Sequence, residues 1–112
     1  MSDATPAPGD RLSIEIDTDA DPVVFVLDGE LDPHTSPMLQ EHIDAEVGEG
    51  ASGAILDFAN VGFVDSAGLR VIADTHRRLS EAGGGLTIRR PSNGLKKLLT
   101  VTGLADHVTV EE

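Results

Sequence analysis

The stretch with the clearest chemical potential is an acid and a hydroxyl followed by small residues, Asp65-Ser66-Ala67-Gly68-Leu69. An apolar segment precedes it, and apolar residues at helical spacing follow it. Asp and Ser are typical helix N-caps because their side-chain oxygens accept hydrogen bonds from the free N–H groups of the first turn. The pattern therefore predicts a serine at the start of a helix, either as an ordinary cap or as an open hydroxyl that a partner's backbone can approach.

The same serine could serve as an enzyme's nucleophile, but the sequence lacks the other groups that this chemistry needs. The Gly-x-Ser-x-Gly elbow of many hydrolases is absent, and no His lies beside Ser66 to act as its base. The four His residues are scattered without paired ligand spacing, and the chain contains no Cys. We therefore predict no catalytic residue, no metal and no cofactor.

The composition predicts one globular domain that binds protein instead of nucleic acid or membrane. With 112 residues and a hydrophobic content of 39%, the chain can bury one ordinary core. Twenty acidic residues against eight basic ones give a net charge of −12, which repels phosphate backbones and anionic lipids. No apolar run approaches the ~20 residues that cross a bilayer. A cytoplasmic protein whose partner has a basic face fits these features best.

Residues 1–10 are predicted to form a disordered tail, since the segment has neither the basic region nor the apolar core of a signal peptide. The domain is then predicted to span residues 11–112. Two small basic clusters, Arg89-Arg90 and Lys96-Lys97, are interpreted as solvated ends of elements. His76 falls on the apolar face of the helix that Ser66 starts, and we interpret it as a packing residue with its hydrogen bonds satisfied.

Hydrophobic periodicity predicts strands that alternate with helices. Leu12, Ile14 and Ile16 alternate with polar residues, which indicates a strand with one buried face. The continuous apolar run Val23–Leu27 indicates a strand covered on both faces. These two strands are predicted to pair as an N-terminal hairpin with the first strand at the sheet edge.

Cap and stop residues bound the later elements. Ser36-Pro37 predicts a helix that runs to about Val47, and Asp65-Ser66 predicts one that ends near Ala82, before three glycines. The remaining predictions are strands at Ala54–Phe58 and Leu86–Arg89, a short helix from Pro91 to Gly103, and a final strand within Leu104–Val110. This order predicts an α/β fold with a largely parallel four- to five-stranded sheet, the hairpin and three or more helices.

Two polar loops are predicted to meet at one edge of this sheet. Asp28–Thr35 follows the second strand, and Val61–Gly68 leads to the helix that carries Ser66. Folds of this kind bind ligands and partners at the carboxyl ends of parallel strands. This edge is therefore the predicted functional surface.

These loops and two later motifs resemble the STAS domain family, in particular its small stand-alone members that act as anti-sigma factor antagonists. The matching residues are Gly29-Glu30-Leu31-Asp32, Val61-Gly62-Phe63-Val64-Asp65-Ser66-Ala67-Gly68-Leu69, Gly83-Gly84-Gly85 and Leu98-Leu99-Thr100-Val101-Thr102-Gly103-Leu104. The Asp-Ser-Ala-Gly-Leu string is weak alone, but its distance from the other motifs makes the combined match specific. The resemblance covers Leu12 to Val110.

The resemblance implies a partner switch. An unphosphorylated antagonist of this family binds an anti-sigma factor that is also a serine kinase, which frees a sigma factor for transcription. The kinase phosphorylates the serine of the Asp-Ser motif, here Ser66, and phosphorylation breaks the complex until a separate phosphoserine phosphatase resets it. A phosphoserine adds about −1.5 to −2 charge, which the free N–H groups of the helix N-terminus are expected to accommodate. We therefore expect the surface to change and the fold to survive.

Both loops supply the predicted partner-binding surface. Its members are Glu30, Asp32, His34, Thr35, Asp65, Ser66, Ala67, Gly68 and Leu69. Several have a structural alternative: Asp65 as a helix cap, Gly68 as a packing position instead of clearance for a kinase, and Leu69 as core. The Glu30 and Asp32 loop has the alternative of a solvated turn.

Other STAS domains serve as stressosome-like scaffolds, as subunits of lipid-transport machines or as nucleotide-responsive modules. A scaffold would usually bring an extra N-terminal domain, and only a short tail precedes this domain. The lipid-transport role stays open as an alternative, and in that role too the domain would act as a non-enzymatic binding module.

Overall fold

The computed structural model describes the backbone of residues 2–4 and all atoms of residues 12–47 and 53–112. The strands are β1 Ser2–Ala4, β2 Leu12–Asp17, β3 Val23–Leu31, β4 Gly53–Val64, β5 Gly85–Arg89 and β6 Thr109–Glu111. The helices are α1 Ser36–Glu46, α2 Ser66–Glu81, α3 Asn93–Val101 and a single 3-10 turn at Leu104–Asp106.

The strands form one sheet in chain order, β1-β2-β3-β4-β5-β6. The pairs β1·β2 and β2·β3 are antiparallel, whereas β3·β4, β4·β5 and β5·β6 are parallel. The prediction of an α/β fold with a largely parallel sheet and an N-terminal hairpin is confirmed. The sheet has one strand more than the four or five expected.

The additional strand lies in the segment predicted to be a disordered tail. Ser2–Ala4 pairs antiparallel with β2, so that Ser2 lies opposite Ile16 and Ala4 lies opposite Ile14. Strand β2 is therefore not the edge of the sheet. Backbone groups of an edge strand can pair with a neighbouring segment whatever its side chains are, which is why composition did not indicate β1. The rest of the predicted tail lies outside the described residues.

The core lies between the helices and one face of the sheet. Phe25 and Leu27 of β3 are buried, while Val24 and Val26 between them are half-buried. The prediction of a strand covered on both faces is therefore met only in part, because the face that carries Val24 and Val26 is partly covered. Parallel strands in consecutive order send each right-handed crossover to the same side, so the helices accumulate on one face. There α2 packs against α1, β4 and β5.

Strand β4 is longer than predicted and carries the chain directly to the serine. It runs unbroken to Val64, so the expected loop from Val61 is strand. The register with β3 shifts twice, between Val26 and Asp28 and between Gly29 and Glu30. Such bulges insert unpaired residues, which disturbs the alternation that the prediction depended on. The segment predicted as a final strand likewise begins as the 3-10 turn and pairs only from Thr109.

Three of the four residues in the two basic clusters form ion pairs, while Lys97 is exposed as predicted. Arg89 contacts Glu111 at 2.8 Å, and Lys96 contacts Glu112 at 2.8 Å. Arg90, with a φ of 52°, is in the left-handed region and donates to the buried carboxylate of Asp57. Burial raises the pKa of Asp57, but hydrogen bonds from Arg90 and the Ala59 N–H and the charges of Arg90 and Arg89 together bring that pKa below its ordinary value.

We predict that Arg90→Ala lowers the free energy of unfolding at pH 7, because the buried Asp57 carboxylate loses its charged donor. Arg90→Gly should be about 1 kcal/mol more stable than Arg90→Ala, since glycine adopts the left-handed conformation without strain. Urea titrations of the three proteins measure both differences.

The pH dependence of the same titrations provides the control. Since the folded pKa of Asp57 is lowered, the pair stabilises the fold above the unfolded pKa, and this contribution is lost as pH falls through the folded pKa. The advantage of wild type over Arg90→Ala should therefore shrink below about pH 4. A constant difference from pH 7 to pH 3 would contradict the role given to the pair.

Candidate functional site

The two predicted loops meet where β3 and β4 end side by side. Leu31 pairs with Val64 at the last position of the parallel ladder. One residue further on, the Asp65 N–H donates to the Leu31 carbonyl at 3.1 Å. The end of β3 thus holds the residue that starts α2.

Asp65 is the N-cap of α2, and Ser66 is its first helical residue. Asp65 Oδ1 accepts from the N–H groups of Ala67 at 2.8 Å and Gly68 at 3.2 Å. The Ser66 side chain is exposed and makes no hydrogen bond within residues 12–47 and 53–112. The acid therefore serves as the cap and leaves the hydroxyl open to a partner.

Gly68 has a packing role, and the prediction of clearance beside the serine is not supported. A β-carbon at this position would lie 2.8 Å from Val64 Cγ1 and 2.9 Å from Leu31 Cβ. These contacts point into the protein, and Gly68 is buried. The absence of a side chain lets the first turn of α2 approach the ends of β3 and β4.

Asp32 and Thr35 are structural, which corrects their placement in the exposed partner surface and also the alternative of a solvated turn. Their side chains are 7% and 1% exposed. Asp32 Oδ1 accepts from the N–H groups of His34 at 2.8 Å and Thr35 at 2.9 Å, and Thr35 Oγ1 donates to the Glu30 carbonyl at 2.7 Å. Short polar side chains close such turns by bonding to nearby backbone. The pair therefore fixes the path from β3 into α1.

The other predicted surface residues differ in accessibility. His34 is exposed beside this turn, and Glu30 is half-buried at the end of β3. Ala67 is half-buried next to Ser66. Leu69 is half-buried against the core, as its structural alternative expected. Ser66, His34 and parts of Asp65, Ala67 and Glu30 thus remain available to a partner, and these assignments stay predictions.

Phe63 is a surface residue that the sequence did not indicate. Its side chain is 51% exposed, although it lies two positions after the buried Val61. Strand alternation would place both residues on one face. The ladder advances from Val61 to Phe63 while β3 advances only from Gly29 to Glu30, and this shift breaks the alternation. A large apolar side chain therefore stands three residues before Ser66.

A groove of about 480 Å³ lies between the first turns of α1 and α2. Its lining includes Pro33, Ser36, Pro37, Ser66, Arg70 and Asp74. Ser36 is 2% exposed, and its Oγ has no hydrogen-bond partner within the described ranges. The groove therefore places an unsatisfied buried hydroxyl and an exposed arginine beside the candidate serine.

The remaining polar candidates form no metal site in the described part of the chain. There, no group of three or more His, Asp or Glu residues is arranged to hold an ion. The His76 and His107 rings pack at a tilt with centroids 5.4 Å apart. The buried Nδ1 of His76 has no hydrogen-bond partner within the described ranges, which does not match the expectation of a satisfied residue. No described helix is long and apolar enough to cross a membrane.

Comparison with known proteins gives one consistent result. The family model of the STAS domain matches residues 13–112. The anti-sigma-B factor antagonist of Staphylococcus epidermidis is 34% identical over 102 residues, which cover 91% of this chain and 94% of that protein.

Solved structures agree with the sequence match. An anti-sigma factor antagonist from Mycobacterium paratuberculosis is 28% identical with a TM-score of 0.75, over 96% of this chain and 90% of that one. The Bacillus cell fate determinant SpoIIAA in its phosphorylated form is 25% identical with a TM-score of 0.72, over 88% of this chain and 91% of that one.

We predict that Gly68→Ala destabilises the fold by about 1–3 kcal/mol, because the added methyl group overpacks the contact with Leu31 and Val64. Gly94→Ala is the matched control, since its β-carbon would meet only Ser92 Oγ at 3.8 Å on the exposed side of α3. That change should stabilise by up to about 1 kcal/mol through helix propensity. Equal effects of the two substitutions in urea unfolding would contradict the packing role of Gly68.

Proposed function

Since the chain belongs to the STAS domain family, we propose that it is an anti-sigma factor antagonist in which Ser66 is the switch. The observation that carries the proposal is the exposed Ser66 hydroxyl at the first position of α2, which has no hydrogen-bond partner among the residues that the structure describes. The relatives named anti-sigma factor antagonist support it.

In the active state the unmodified protein binds an anti-sigma factor and thereby frees a sigma factor for transcription. Ser66 lies at the centre of the contact, with Ala67 and Asp65 beside it and His34 and Glu30 on the neighbouring loop. Phe63 adds an apolar anchor of the kind that dominates binding energy when a partner covers it. With a net charge of −12, the protein matches a partner whose contact face is basic.

The anti-sigma factor is also the serine kinase in this scheme. The Ser66 Oγ attacks the γ-phosphorus of ATP held by the kinase, a bond from Oγ to phosphorus forms, and the bond to the ADP oxygen breaks. The hydroxyl proton passes to a base of the kinase. A separate phosphatase returns the serine by transferring the phosphoryl group to water. The STAS domain itself supplies the substrate hydroxyl and acts as a binding module in the cytoplasm, not as an enzyme.

Phosphorylation breaks the complex because it adds charge and bulk at the centre of the contact. The phosphate carries about −1.5 to −2 charge, and the partly buried Asp65 carboxylate beside it has the same sign. A packed interface must also remove water from the new charge. A loss of about 3 kcal/mol weakens binding more than a hundredfold.

The proposal predicts one phosphorylated residue when the protein is mixed with a candidate anti-sigma kinase and ATP. Mass spectrometry should place the phosphate on Ser66 alone, and Ser66→Ala should take up none. Ser66→Ala should bind the kinase constitutively, while Ser66→Asp binds it at least tenfold more weakly with an unchanged melting temperature. Phosphate that persists in Ser66→Ala, or equal affinity of the two variants, would refute the assignment.

The same binding assay tests the surface around the serine. Phe63→Ala removes an exposed apolar side chain beside Ser66, and Val101→Ala removes one that is 74% exposed on α3. Only the first variant should lose affinity for the kinase. Equal losses would show that the partner does not cover the end of β4.

A further inference from the structure

Two of the N–H groups at the start of α2 are not free to bind a phosphate on Ser66. The first-turn N–H groups of Ala67 and Gly68 are already bonded to Asp65 Oδ1, at 2.8 and 3.2 Å. The expectation that these groups would accept the phosphate therefore fails unless the cap is displaced. The Asp65 carboxylate also repels the phosphate.

Arg70 supplies the positive charge in the right place. It lies four residues after Ser66, so the two side chains share one face of α2, and both line the groove between α1 and α2. Arg77, Arg78, Arg89 and Arg90 each pair with a carboxylate. Among the arginines in the described ranges, Arg70 alone makes no ion pair. In a chain with a net charge of −12, an arginine left free beside the serine is a distinctive feature.

The opposite wall of the groove offers a second donor. Ser36 is almost fully buried, and its Oγ has no partner in the described part of the chain. An unsatisfied buried hydroxyl destabilises a fold, whereas a hydroxyl that donates to a charged acceptor stabilises it. Ser36 also lines the groove, which makes its hydroxyl a candidate donor to a phosphate bound there.

We propose that the phosphate of phosphorylated Ser66 turns into the α1–α2 groove, where the Arg70 guanidinium and the Ser36 hydroxyl hold it. This inference rests on the proposed function and assigns the residues that stabilise its inactive state. Arg70 can donate two parallel hydrogen bonds to phosphate oxygens, which a lysine cannot reproduce. Asp74 is the other charged residue that lines the groove, and its carboxylate forms an ion pair with Arg77 at 3.3 Å.

The test uses protein with phosphoserine installed at position 66 during translation, so it needs no kinase. Phosphorus NMR then measures the second pKa of the phosphate, which is near 6 for a free phosphoserine. Arg70→Gln should raise this pKa by about 0.5 pH unit or more, a threefold change in proton affinity, because the dianion loses its counter-charge. Arg70→Lys keeps the positive charge but loses the paired hydrogen bonds, so it should restore only part of the shift.

Two further variants complete the experiment. Lys97→Gln removes the same charge from an exposed residue of α3 and should leave the phosphate pKa at its wild-type value. Ser36→Ala should raise that pKa, yet leave the unmodified protein as stable as wild type or more stable. An identical pKa in wild type and Arg70→Gln would overturn the proposal, and no effect of Ser36→Ala would overturn the part given to the hydroxyl. A kinase that never modifies Ser66 would refute the proposed function without changing these values.

Discussion

The carboxylate of Asp65 caps α2 and fixes the start of the helix that carries Ser66 and Arg70. The Asp65 N–H donates to the Leu31 carbonyl at the end of β3, and Asp65 Oδ1 accepts from two N–H groups of the first turn of α2. The cap therefore joins the sheet to the helix at one residue. The serine that follows is left with an open hydroxyl and a fixed backbone.

Packing beneath the cap explains why this arrangement is rigid. Gly68 lets the first turn of α2 approach Leu31 and Val64 more closely than any side chain would permit. On the neighbouring loop, Asp32 and Thr35 bond to each other and to the backbone while almost fully buried. Ser66 is thus carried on a surface that contacts within the protein support.

The sequence predicted the features that depend on local chemistry. The cap at Asp65, the span of α2 and the alternation of β2 follow from residue types within a few positions. Features that depend on neighbours in space were not predictable in this way. Phe63 is exposed because of a register shift against β3. Arg90 donates a hydrogen bond to Asp57, which lies 33 residues earlier in the chain. β1 pairs through backbone groups that leave no mark in composition.

The negative net charge of the protein helps to explain why phosphorylation would oppose binding in the proposed switch. Most basic side chains in the described ranges are already paired with carboxylates, so a new phosphate meets a strongly acidic surface. In the proposed switch, a partner with a basic face is attracted to the unmodified site, and the bulk and desolvation cost of the phosphate oppose binding at the centre of the contact. In the proposed modified state, Arg70 holds the phosphate on the protein's own surface.

Amide hydrogen exchange at Ala67 and Gly68 tests most directly whether modification spares the cap. Both N–H groups donate to Asp65 in the structure, and their protection can be compared between the unmodified protein and protein with phosphoserine at position 66. If the phosphate turns into the groove, protection at both amides and along α2 is unchanged. Lost protection at these two amides would show that the phosphate displaces Asp65, and the separation of surface from fold would then be wrong.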